Sequence, residues 1–227
     1  LQLAQGGAQA AVDSWQRAAG TYAQINDTSG AIRSRINQAT ALQALGLYRQ
    51  AQKTLAEVNE ILQKQPDSAL KAAGLSNLGN ILRITGDLNR AEAALQQSLA
   101  VARTLQLPES MSEALLGLGK TAQARGDSQS ALNYYQEAIA TSPSPTLKIQ
   151  IQLNQLSLLL ADSQASAAST LWPAILSQID RLPPSRTTVY ARIDLARSLM
   201  KMSAVNREAP TTNMAQLLAQ AVRDAQT

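Results

Sequence analysis

The sequence predicts an all-α protein, a right-handed superhelical solenoid of antiparallel helix pairs, and three observations carry that expectation. Glycine returns at a fixed interval: Gly6, Gly46, Gly86 and Gly126 stand 40 residues apart. Each is followed at constant offsets by an alanine (Ala11, Ala51, Ala91, Ala131) and then by a large apolar residue (Trp15, Leu55, Leu95, Tyr135). The composition also suits closely packed helices, with Ala, Leu and Gln dominant, two Trp, five Tyr and no Phe. Self-similarity at this period marks stacked supersecondary units, each too small to bury its own apolar face.

Each part of the unit has a physical cause. Glycine closes the first helix because the closing residue takes a left-handed conformation that only Gly enters cheaply. Asp87 and Asp127 follow directly and suit the N-cap of the second helix. Alanine on that helix lets two backbones approach, and the large residue one turn later fills the space beside it. Before the turn, Leu75, Leu78, Gly79 and Leu82 form one helical face, which Leu115, Leu118, Gly119 and Ala122 repeat. Gly79 and Gly119 are expected at close helix contacts.

Read this way, the chain is a single array. A partial repeat covers 1–30, repeats follow over about 31–70, 71–110, 111–147 and 148–186, and a degenerate terminal repeat covers 187–227. The weaker fifth copy takes Ser163 as its turn, with Ala168 and Trp172 at the usual offsets, and the sixth takes Ser203. Prolines in "QKQPDS", "QLPES" and "TSPSPT" mark where second helices stop. Ser110 and Glu113 have capping-box spacing, and "SAVNREAPTTN" reads as a longer loop. Arg35 and Gln38 are polar where the other copies are apolar. Trp15, Trp172, Tyr48, Tyr134 and Tyr135 are expected in helix seams, and Met200 and Met202 as packing filler.

Composition excludes several chemistries. With no Cys and no His, the chain cannot form a disulfide, a thiolate nucleophile, an imidazole base or an ordinary zinc site. "LGLGK" lies within a helix pattern and lacks phosphate-loop spacing, and no acidic pair beyond the capping aspartates stands out. The expectation is therefore no enzyme, no catalytic residue, no metal and no cofactor. The net charge of +4 is scattered over the helix faces, so neither nucleic acid nor membrane is an expected partner. No apolar run reaches the roughly 20 residues that span a bilayer. The opening "LQLAQGG" has no Met and no signal pattern, which reads as a piece of a longer protein of cytoplasmic location.

The run Leu75, Leu78, Gly79, Leu82, Gly86, Ala91, Leu95 resembles the tetratricopeptide repeat. Leu115, Leu118, Gly119, Gly126, Ala131, Tyr135, Ala138, Pro143 resembles it too, closing proline included. The usual repeat has about 34 residues; a period of 40 is similar to kinesin-light-chain arrays. "QATALQALGLYRQA", "LGNILRITGDL", "LPPSR" and "ARSLMKM" further resemble cyanobacterial repeat regions that precede caspase-like CHAT domains. That resemblance implies a cysteine peptidase fold downstream, whose Cys–His pair cannot lie in this chain.

In this family the first helix of each pair lines the inner, concave surface. Nine residues before the turn, three copies carry asparagine: Asn37, Asn77 and Asn154. An amide both donates and accepts, so such a ladder can hold an extended peptide backbone; it resembles the asparagine ladder of peptide-binding members. Gly117 interrupts it and Asp194 changes its last rung. Asn80, Arg83, Lys120 and Arg197 complete the candidate site, and the cations favour an acidic peptide. For the asparagines, packing against a neighbouring helix and plain solvation are the two alternatives. The implied function is a protein-interaction scaffold, binding a separate partner or another domain of its own polypeptide. RNA binding by helical repeats and structural self-association are the rival readings, and the oligomeric state is open.

Overall fold

The computed structural model describes residues 7–205 together with Ala219. Gly6, and the helix expected after Asn213, lie outside the described residues. The helices divide into two compact units that meet in sequence at Arg125–Gly126. The first holds α1 (Ala8–Gln24), α2 (Thr28–Ala44), α3 (Tyr48–Gln63), α4 (Ala69–Ile84), α5 (Leu88–Thr104) and α6 (Pro108–Ala124). The second holds α7 (Ser128–Thr141), α8 (Pro145–Ala161), α9 (Ala165–Asp180) and α10 (Arg186–Val205).

The expected turns are present. Gly46, Gly86 and Gly126 have φ of 74°, 88° and 80°, and Ser163 takes the same role at 58°. Asp87 and Asp127 cap α5 and α7, accepting from the backbone N–H of Arg90 and Ser130 at 3.3 and 3.0 Å. Asp27 caps α2 in the same way, accepting from Gly30 N–H at 2.8 Å. Asn26 and Gln106 also take positive φ, 58° and 53°. These two second-to-first connections thus copy the geometry of the glycine turns, and there the 40-residue period splits into halves of nearly equal length. Thr28, Tyr48, Leu88, Pro108 and Ser128 begin helices at multiples of 20 residues from Ala8.

Three second-to-first connections differ: the short α7–α8 link leaves the helix at extended Ser142, and the two longer ones are each closed by a buried cation that the sequence pattern does not reveal. After α3, Lys71 of α4 reaches back to the Asp67 carboxylate at 3.1 Å and donates to the Gln65 carbonyl at 3.3 Å. After α9, Arg192 of α10 binds Asp180 at 2.7 Å. Both cations are 7% exposed, so their pairing offsets a desolvation that a free charge could not bear.

Three expectations are corrected. α6 begins one residue after Leu107, with Pro108 at N1 and no side-chain cap, so Ser110 and Glu113 lie inside the helix and form no capping box. Pro108 therefore starts a first helix rather than merely stopping a second. Ser203 is no turn, because α10 continues through Val205. Tyr48 and Met200 are exposed, whereas Tyr135 and Met202 are buried, and Trp15 and Trp172 pack half-buried on the core.

In the first unit the even-numbered helices touch in succession, α2 on α4 and α4 on α6, while α3 and α5 pack against them and meet each other through the Gln63 and Gln97 side chains, whose amides exchange two hydrogen bonds of 3.0 Å. In the second, α10 packs on both α8 and α9. The even-numbered helices therefore form a continuous layer within each unit. The registered positions form its seams: Ala51, Ala91, Ala131 and Ala168 are fully buried, as are Leu95 and Tyr135.

Leu95 shows why small residues are needed. A Cβ on Gly79 would stand 2.5 Å from Leu95 Cγ and 3.0 Å from the Ala91 carbonyl oxygen, and a Cβ on Gly117 2.5 Å from Leu95 Cδ2. Leu95 of α5 is thus a knob held between two side-chain-free patches, on α4 and α6. Leu95→Ala should cost about 2–5 kcal/mol, measured by urea unfolding. Gly79→Ala should cost about 1–3 kcal/mol by overpacking, against a helix-propensity gain of about 1 kcal/mol. In a Leu95→Ala background the same Gly79→Ala change should become neutral or stabilising. Simple additivity of the two would contradict the knob geometry.

Candidate binding face of the first helices

The candidate residues all lie on even-numbered helices, but they are not equivalent. Asn37 on α2, Asn77, Asn80 and Arg83 on α4, Lys120 on α6 and Asn154 on α8 are half-buried; Asp194 and Arg197 on α10 are exposed. The asparagine row borders the helix seam rather than open solvent. At the same register α6 carries Gly117, which is buried under Leu95. Its interruption of the ladder thus has a packing cause: a side chain there would meet the knob.

Two of the asparagines are tethered. Asn77 donates its amide N–H to the Ala73 carbonyl at 2.9 Å, and Asn154 donates to Gln150 at 2.6 Å, each one turn back on its own helix. The tether fixes the amide plane and leaves Oδ1 as the atom for an incoming donor. Such an oxygen can accept a peptide N–H. The second N–H of each amide can still donate to a peptide carbonyl.

In the first unit, α4 and α6 bring Arg83 and Lys120 together. Burial first, and then the Arg83 guanidinium, hold the Lys120 ammonium below the usual lysine value. On the same helix burial, and then Glu109, push Glu113 above the usual carboxylate value. In the second unit Asp194 and Arg197 pair with each other at 3.1 Å, both side chains more than half exposed, so the pair adds little stability. Among the described residues no group of three or more acids is clustered as a metal site would need.

One feature of the opposite side was visible in the sequence without being understood. Arg35 and Gln38 line an open polar cleft with Gln16 of α1 and Lys53 and Glu57 of α3, which accounts for polar residues where other copies are apolar.

The tetratricopeptide repeat profile matches residues 30–104 and 70–144, overlapping stretches that together cover half of the chain. The chain belongs to the tetratricopeptide repeat family. Among solved structures the array is similar to BtubC of P. vanneervenii, with a TM-score of 0.73 and 14% identity over 96% of this chain and 91% of that one. It is similar to kinesin-light-chain TPR-like repeats from Podosopora anserina, at 0.63 and 20% over 86% and 94%. It is also similar to a Rap protein complexed with Competence and Sporulation Factor, at 0.68 and 12% over 99% and 72%. At these identities the likeness is one of fold. Comparison with curated proteins yields no match. No described helix is long and apolar enough to cross a membrane.

The Lys120 environment gives a direct test. A lysine whose folded-state value lies below its unfolded value destabilises the fold while charged. The cost is present at neutral pH and fades as pH rises from the folded value toward the unfolded one. Lys120→Gln should therefore leave the Tm at pH 7 unchanged or raise it by up to about 3 °C. The gain should vanish at high pH. A fall of several degrees at pH 7 would show that Lys120 is a structural cation.

Proposed function

We propose that this repeat array is a non-catalytic protein-interaction scaffold whose first-helix faces bind an extended peptide or partner segment. The carrying observation is that the packed first helices α4 and α6 place two half-buried cations, Arg83 and Lys120, on candidate-face positions, where a ligand carboxylate would offset their charge. In this reading the tethered Oδ1 atoms of Asn77 and Asn154 accept backbone N–H groups, Asn37 and Asn80 extend that role on α2 and α4, and Arg83 and Lys120 select an acidic side chain. Asp194 and Arg197 serve the second unit. A Rap protein of similar fold has been solved with Competence and Sporulation Factor, which supports ligand binding as a use of this architecture.

The partner is a separate protein or another domain of the same polypeptide. The sequence wording supports a more particular setting, regulation of a downstream caspase-like CHAT domain in a cyanobacterial cytoplasm. Catalysis by this chain finds no support: it has no His or Cys, and its capping aspartates are spent on backbone N–H groups.

Selection of random 12-residue displayed peptides, followed by fluorescence anisotropy, tests the reading. Enrichment of Asp and Glu is expected. Lys120→Gln should weaken the selected acidic peptides about ten-fold or more, as expected for a charge-assisted hydrogen bond. Asn77→Ala should weaken them while leaving helix content and Tm nearly unchanged. Equal binding by both variants would move the site off this face.

A further inference from the structure

The second unit holds a cavity of about 200 Å³ that the charge-based reading of the first unit does not use. It lies between the N-terminal halves of α8 and α10 and is closed below by the α9–α10 connection. Ile149, Leu153, Leu182 and Ala191 supply its apolar walls. Its mouth carries Gln150, Tyr190 and Asp194. Those three are first-helix positions that the repeat register assigns to the inner face, so packing of α10 on α8 gathers two copies of that face around one opening.

We propose that this cavity is an anchor pocket for one branched or linear aliphatic side chain of a bound peptide, with a Lys or Arg beside the anchor. The proposal rests on the peptide-binding reading above and adds a second, chemically different subsite.

Size and charge both point to this occupant. An engineered apolar cavity of about 150 Å³ admits benzene, so 200 Å³ accommodates a Leu, Ile or Met side chain. Asp194 is the only acid among the residues lining the cavity. Its Arg197 partner sits three residues on along the same helix, with both side chains exposed, a pairing that a ligand cation can displace at little cost. Arg186 is engaged elsewhere at the mouth: it donates to the Tyr190 hydroxyl at 3.2 Å and stacks 5.6 Å from its ring centroid. Tyr190 is 53% exposed and so presents a held aromatic wall to a ligand. Asp194 and the Gln150 amide oxygen place acceptors at the mouth, matching the N–H donors of a peptide and its basic neighbour.

The test uses the whole chain and two 10-residue peptides in a Gly/Ser background, one with a central Leu-Lys and one with Leu-Glu, followed by NMR amide shifts. The Leu-Lys peptide should shift Ile149, Leu153 and Ala191, and should bind about two- to five-fold tighter than Leu-Glu, the range of an exposed ion pair. Asp194→Asn, at an exposed position, should remove that preference while Leu-dependent binding persists. Ala191→Leu should fill the pocket and lower affinity at least ten-fold, with the circular dichroism spectrum confirming folding. Retained affinity in folded Ala191→Leu, or a preference for Leu-Glu, would overturn the proposal. If acidic peptides still shift Lys120 while the pocket residues stay silent, the pocket fails and the broader reading stands. If neither face responds to any peptide, both fail.

Discussion

The first unit depends on one constraint: a large side chain of the second helix α5 must enter between the first helices α4 and α6. Leu95 is that side chain, wedged against Gly79 of its own pair and Gly117 of the next. Burial of such a knob is worth roughly 1.5–3 kcal/mol, but only where its neighbours carry no side chain in the same space. The glycines on first helices, which propensity alone would reject, follow from that need. So does the close packing of α4 on α6, since both present a side-chain-free patch to the same knob.

The binding role proposed for this face is a by-product of the same geometry. Once the apolar face of each first helix is committed to the knobs, its remaining face carries the residues that packing does not dictate. Asn77 and Asn154 stand at the border between the two and are oriented by bonds to their own helices. Lys120 lies where burial and the Arg83 charge make a cation costly, which packing alone does not favour. Charge governs the first unit's face, and an apolar cavity with an acidic mouth marks the second. The two units therefore offer different chemistry on equivalent helices.

Much of this was legible in the sequence because it depends on local rules. A glycine with positive φ, an aspartate cap and a buried alanine each leave a mark at a fixed offset, so the turns at Gly46, Gly86, Gly126 and Ser163 were predictable. What escaped depended on contacts distant in sequence or on irregular backbone. Gly117 read as a missing rung, because its reason is a leucine on another helix. Lys71 and Arg192 carry no local mark of their role in closing the two longer connections, because their partners lie across those connections. Gln106 gave no sign of its left-handed conformation, and Ser203 looked like a turn by register while α10 runs past it. The cavity beside Asp194 was invisible, because its walls come from two repeats and a connection.

The proposed binding surface is the set of first-helix faces. Hydrogen–deuterium exchange of the whole chain, alone and saturated with the tightest peptide from a random display library, addresses it most directly. The account predicts added protection within α2, α4 and α6 or within α8 and α10, with α3, α5 and α9 unchanged. Protection concentrated on α3, α5 or α9 would contradict it and place the binding surface on the opposite side of the helix pairs.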